Sequence, residues 1–240
     1  MNSRIVIVDQ KLNVTRKVLL DQRSGYDANM TKRVSIGVVV SADQDPTDYL
    51  AAVLRAGGEP KEMVLPDLDW VKMDGLLMAA GPKSYVIEEP ETLDKAISCV
   101  SNALDHDLPI LAIADGFLSF NRAAGGSFVE LIDHAEDPDK EGSSSYHRIY
   151  ITPGGKLAAT IGSGGFVRVN SRHSLGIREA QKAEGLLATA YSLEDGLIEA
   201  LESPDHKWAI GVQFSPERRM EIPPHFDRLF EALVIKASGD

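Results

Sequence analysis

Between residues 34 and 124 the chain alternates short apolar runs with stretches of helical periodicity. Residues 34–40 (VSIGVVV) form a near-continuous β-branched run, the pattern of a strand buried on both faces of a parallel sheet. Residues 46–56 (PTDYLAAVLRA) follow as a helix that Gly57-Gly58 stops. Residues 63–65 and 74–80 (DGLLMAA) read as further strands, the latter closed by Gly81-Pro82. From residue 91 to 104, Leu93, Ala96, Ile97, Val100, Ala103 and Leu104 recur at helical spacing behind the acidic start Glu88-Glu89-Pro90-Glu91. Residues 109–114 (PILAIA) are another buried strand, turning at Asp115-Gly116 into a helix over 117–124 that ends at Gly125-Gly126. Strands alternating with helices predict a doubly wound α/β fold: a mostly parallel central sheet, helices on both faces and right-handed crossovers.

The second half changes character. Short β-like runs at 149–151, 165–169, 186–191, 196–201 and 208–213 are separated by Gly, Ser, Pro and Asp, and read as an antiparallel extension of the sheet. Residues 133–145 (DHAEDPDKEGSSS) form a polar loop, 162–165 (GSGG) a tight β-turn, and 226–236 a closing helix. Residues 1–33 are polar and mixed around one apolar stretch at 5–8. They read as an N-terminal arm or as a poorly ordered extension, leaving 34–240 as a single domain.

Composition narrows the function classes. Of 240 residues, 36 are acidic against 25 basic, giving a net charge of −11, which disfavours nucleic-acid and anionic-membrane partners because phosphate binding needs a cationic face. The acids serve solubility, and no apolar run approaches the ~20 residues that span a bilayer, so the cytoplasm is the expected location. The single cysteine, Cys99, excludes an internal disulfide and a Cys-based metal cluster, and its place beside the apolar stripe marks an inert core thiol. No spacing carries a metal signature, and nothing calls for a cofactor.

The candidate chemistry lies at the turn Ala112-Ile113-Ala114-Asp115-Gly116. A buried strand running directly into a helix can hold a side chain exposed and slightly strained, with the helix N-terminus aimed at developing negative charge. Residues 109–127 (PILAIADGFLSFNRAAGGS) resemble the nucleophile elbow of class I glutamine amidotransferases, closest to the γ-glutamyl-γ-aminobutyrate hydrolase (peptidase C26-like) branch. Residues 36–58, 74–82 (DGLLMAAGP), 169–173 (VNSRH) and 211–217 (GVQFSPE) match further motifs of that family in order. The resemblance covers about residues 34–237 and implies a flavodoxin-like sheet.

It also locates departures. Ala114 stands where the family has its nucleophilic Cys, Asp115 where it has Arg, and Ser215 where it has the general-base His; of the triad only the orienting acid, Glu217, remains. Ala79-Ala80-Gly81 replaces the usual Pro-Gly-Gly of the oxyanion loop. A methyl group attacks nothing, and a serine hydroxyl near neutral pH does not accept the proton that an imidazole takes. Loss of nucleophile and base together reads as a natural degenerate site rather than an engineered trapping change.

Three functions follow as alternatives. The first is a non-catalytic binding or regulatory protein whose remnant pocket (Ala80, Gly81, Asp115, Gly116, Asn170, Ser171 and His173) takes a small amino-acid-like or γ-glutamyl ligand. The second is a hydrolase with altered chemistry using Asp115, His173 and Glu217. The third is a structural or assembly subunit, with a homodimer left open. His134, His147, His206 and His225 fall in polar stretches and are expected to be solvated.

Overall fold

A computed structural model of the chain describes residues 7–9, 14–16, 33–66, 72–79, 90–131 and 145–239. The chain divides into two compact units, residues 1–32 and 33–240. In the first, strands β1 (Ile7–Asp9) and β2 (Val14–Arg16) pair antiparallel. The expected polar loop over 133–144 lies outside the described residues, as do Ala80, Gly81, Glu88 and Glu89.

In the second unit the apolar runs become β3 (Ser35–Ser41), β4 (Glu59–Leu65), β5 (Gly75–Met78), β6 (Ile110–Ile113) and β13 (Ala209–Val212). These five lie side by side and parallel, in the order β4-β3-β5-β6-β13. Their connections include α1 (Thr47–Arg55), α2 (Pro90–Asp105) and α3 (Asp115–Ala123). The sheet continues antiparallel through β12 (Ile198–Glu202), β11 (Leu187–Ser192), β8 (Ser145–Ile151) and β9 (Gly165–Ser171), nine strands in all. A small separate ladder joins β7 (Val129–Glu130) to β10 (Leu175–Gly176).

The period of two along each central strand sends alternate side chains into two cores. Ile36, Val38, Val40, Leu77, Leu111 and Ile210 pack with Tyr49 and Val53 of α1 and with Leu229, Phe230 and Leu233 of the closing helix α5 (Arg228–Ala237). Val39, Leu76, Met78, Ile110 and Ala112 pack on the opposite face with Ala96, Cys99 and Val100 of α2 and with Phe117 and Phe120 of α3. Two buried layers explain why these strands are apolar throughout rather than alternating.

Three differences from the sequence reading have local causes. Residues 156–161 form a short helix, α4 (Lys156–Ile161), whose six residues are too few for periodicity to announce. Gly162, left-handed at φ 89°, closes that helix, so the 162–165 run is a helix terminus leading into β9 rather than a β-turn. β8 begins at Ser145, four residues before its apolar part, because its first residues face solvent alternately. Among the described residues no helix is long and apolar enough to cross a membrane.

Candidate functional site

β6 and β13 run parallel and end together, and the chain leaves both at the carboxyl end of the parallel strands. The Ala114 N–H donates to the Val212 carbonyl at 2.9 Å, extending the ladder one residue beyond β6. Ala114 then sits at φ 51°, ψ −109°, a conformation that favours glycine, and α3 begins at the next residue. Gly116 lets the first turn of α3 close onto β5: a Cβ there would lie 2.4 Å from the Met78 carbonyl oxygen. The sharp turn expected at 112–116 is therefore present, with a methyl group at its apex. Asp115 is buried at the helix N-terminus, where its charge is favoured by the helix dipole.

The 213–217 segment leaves β13 beside this turn and is held from β9. The Asn170 side chain accepts from the Ser215 N–H at 2.9 Å and donates to the Ser215 carbonyl at 3.1 Å and to Glu221 at 3.0 Å. Both Ser215 and Glu217 are buried, and the Ser215 hydroxyl and the Tyr49 phenol donate to the Glu217 carboxylate. Burial pushes the Glu217 carboxyl up to about 7, against the opposing hydrogen bonds and the nearby Arg218 guanidinium. Tyr49 reaches this carboxyl from α1.

A second polar group lies next to it. The β11–β12 register shifts so that Ala190 pairs with Ala200 and Tyr191 with Ile198, leaving Glu199 as the extra residue of a bulge. Its fully buried carboxylate oxygen Oε1 lies 3.1 Å from His147 Nε2 and 3.8 Å from His173 Nε2. The His173 ring is fixed by its Nδ1, which donates to the Leu175 carbonyl at 2.9 Å. The Glu199 carbonyl accepts from the Gln213 N–H, tying this cluster to the 213–217 segment. Burial alone would lower the His147 pKa, but its hydrogen bond to Glu199 and the charges of Glu199, Glu194 and Asp195 raise it above 6.5.

His147 is thus a strand residue facing a buried acid, not a solvated loop histidine. His206, whose Nδ1 contacts the Ser203 hydroxyl at 2.6 Å, and His225, which stacks on Phe226, are half-buried. Both rings follow backbone turns that bring them onto neighbours, whereas His134 lies outside the described residues. Ser171 is buried and its carbonyl accepts from the Ser145 hydroxyl. Cys99 is buried in the α2 core, where desolvation pushes its thiol up to about 12. Among the described residues no group of three or more His, Cys, Asp or Glu side chains, the Glu199–His147–His173 cluster included, is arranged to hold a metal ion.

Sequence reasoning missed Glu199 and Tyr49. The signal for Glu199 was present: one acid inside the apolar run Leu197-Ile198-Glu199-Ala200-Leu201.

With this geometry in view, similarity to known proteins is informative. The peptidase C26 family model matches residues 85–217. The γ-glutamyl-γ-aminobutyrate hydrolase PuuD of Escherichia coli K12 is 31% identical over 199 residues, covering 70% of this chain and 76% of that protein. The corresponding hydrolase of Escherichia coli O157:H7 is 30% identical over 197 residues, with the same coverage. Among solved structures, a glutamine amidotransferase from Methylobacillus flagellatus superposes with a TM-score of 0.65 at 15% identity, over 86% of this chain and 95% of that one. A glutamine amidotransferase from Thermotoga maritima gives 0.64 at 12% identity, over 88% and 100%. At such identities these structures establish the fold.

Two outcomes follow for the site. Ala114→Gly relieves the positive-φ strain while giving the unfolded chain more freedom, and is expected to stabilise the protein by about 1 kcal/mol in denaturant unfolding. The second concerns pH. The Glu217 carboxyl is raised from 4.5 to about 7, so its contribution is fully present below about pH 4.5 and is lost as pH climbs to about 7. His147 is raised above 6.5, so its contribution is present below that value and is lost as pH rises through the folded pKa. Stability is therefore expected to fall from pH 4.5 upward, by on the order of 3 kcal/mol for the Glu217 part. Glu217→Gln should abolish that part and leave a decline only above about pH 6.5, as read by thermal unfolding across pH.

Proposed function

Because the chain belongs to the peptidase C26 family of class I glutamine amidotransferase-like proteins, we propose that it is a member without the family's hydrolytic chemistry, a pseudoenzyme that binds a small amino-acid-like or γ-glutamyl ligand. The observation that carries this reading is the methyl group of Ala114 at the apex of an otherwise intact strand-to-helix turn. The neighbouring arrangement supports it. Glu217 accepts from the hydroxyl of Ser215, where the family resemblance expects an imidazole, so the orienting acid orients no base. The one thiol of the chain is buried in α2 and held protonated, which removes it as a substitute nucleophile.

Nucleophile and base act as a unit, so the absence of both removes several orders of magnitude in rate. The substrate named for the relatives, γ-glutamyl-γ-aminobutyrate, indicates the shape of ligand that such a scaffold accommodates. Asp115 at the N-terminus of α3, and His173 fixed between Leu175 and Glu199, are the groups proposed to contact it.

One observation favours a second reading, a hydrolase with altered chemistry. His173 Nε2 lies 3.8 Å from the buried Glu199 carboxylate, and with the Nδ1–H donated to the Leu175 carbonyl it is the Nε2 of a neutral ring that could accept a proton.

Purified protein is expected to release no product from L-glutamine or γ-glutamyl-γ-aminobutyrate above a heat-denatured control. Turnover that disappears in Glu217→Ala would falsify the pseudoenzyme reading. Turnover that survives Glu217→Ala but disappears in His173→Ala would establish the second. In a thermal-shift assay, γ-glutamyl-γ-aminobutyrate at about 100 times its dissociation constant should stabilise the fold by roughly 2.7 kcal/mol. Asp115→Ala or His173→Ala should erase that shift, and a shift unchanged in both variants removes these residues from the ligand site.

A further inference from the structure

The nine-stranded sheet has two edges, and they are built differently. At one edge β4 reads Glu59-Pro60-Lys61-Glu62 before its apolar end, with a proline that donates no hydrogen bond and three charges. These are the devices by which proteins keep a strand edge from pairing with another chain. At the other edge β9 reads Gly165-Phe166-Val167-Arg168-Val169-Asn170-Ser171, with no proline, lysine or acid. β9 pairs with β8 along all seven residues, and no described strand lies on its other side. Phe166 is 74% exposed, its ring 5.1 Å from that of Tyr150, and the Arg168 guanidinium covers the Tyr146 ring at 4.0 Å. An open strand edge flanked by aromatic rings and arginine has the composition of an interface core.

We propose that β9 pairs antiparallel with β9 of a second copy of this chain across a two-fold axis through Val167. The register follows from charge. Arg148 already stands opposite Arg168 in the β8–β9 ladder, and an axis through Arg168 would extend that pair to a row of four like charges across the two copies. An axis through Val167 sets Phe166 opposite the second copy's Arg168, and Arg168 opposite its Phe166. Each guanidinium, already stacked on Tyr146, then receives an aromatic face from the other copy, a pair of cation–π contacts repeated by the symmetry. The same pairing satisfies the edge backbone groups of both copies and covers the exposed Phe166. The occupant is a strand because only a strand meets a row of backbone donors and acceptors. It is a second copy because Phe166 and Arg168, two residues apart, complement each other under that symmetry.

Sedimentation of the full chain from micromolar to submillimolar concentration is expected to give a reversible dimer. Phe166→Lys, at an exposed position that leaves the core untouched, should weaken it by about tenfold or more with unchanged thermal stability of the monomer. Lys61→Glu at the opposite edge should leave the dimer intact. A single-chain mass at every concentration overturns the proposal. So does a dimer that Phe166→Lys leaves intact or that Lys61→Glu dissolves.

Discussion

The backbone of Ala114 is held at positive φ between a strand and a helix that are both buried, and the site is arranged round that constraint. Its N–H is fixed by Val212 on the neighbouring parallel strand, while α3 is fixed by Phe117 and Phe120 in the core beneath. Neither element can rotate to relax the turn without opening a packed layer. The close approach of Gly116 to Met78 sets the depth at which the helix sits against β5. The strain at Ala114, of order 1–3 kcal/mol, thus persists because the packing around it over-determines the chain path. Parallel strands ending together, a helix starting at once, and a turn with its apex at the carboxyl end of the strands are the conditions under which α/β folds build sites.

Around this turn the protein buries acids rather than excluding them. Glu217 is kept from water by the segment that carries it, and its charge is partly answered by the Tyr49 phenol, the Ser215 hydroxyl and Arg218. Glu199 would point elsewhere in a regular ladder; the bulge turns it onto His147 and His173. Two carboxylates at one end of a sheet place different demands on protons. Desolvation pushes the Glu217 carboxyl up to about 7, while the hydrogen bond to Glu199 helps raise the His147 imidazole above its ordinary value. The segment 213–217 connects the two through the Gln213–Glu199 hydrogen bond and the Ser215–Glu217 contact.

The parallel half of the fold was readable because its strands are buried on both faces, so residues 34–40 and 109–114 appear as unbroken apolar runs. Helices α1 and α2 carry the period of 3.6 over enough residues to be seen. The antiparallel half was readable only in outline: β8 and β9 face solvent on one side, and α4 has six residues. Ala114, Asp115, Gly116, Asn170, His173, Ser215 and Glu217 were singled out through motif order. Glu199 and Tyr49 were not, because their roles depend on contacts far away in sequence: a bulge in a strand pair, and a phenol brought from α1 to a loop after β13. His147 was misread because the polar residues around it resemble a loop until β9 pairs with them.

β9 joins the two ends of this argument. Its outer edge is the unprotected one, and its Asn170 clamps the Ser215 backbone through both the N–H and the carbonyl. The chain carries a strained Ala114, a desolvated Glu217 and a bulged, buried Glu199 at this end of the sheet. Each of these is destabilising by itself, while the two cores elsewhere are apolar and closely packed. Local violations of folding consistency gathered in one place are the mark of a site in use. That concentration sets this end of the sheet apart from the two apolar cores as the place where the fold gathers its strained and buried polar groups.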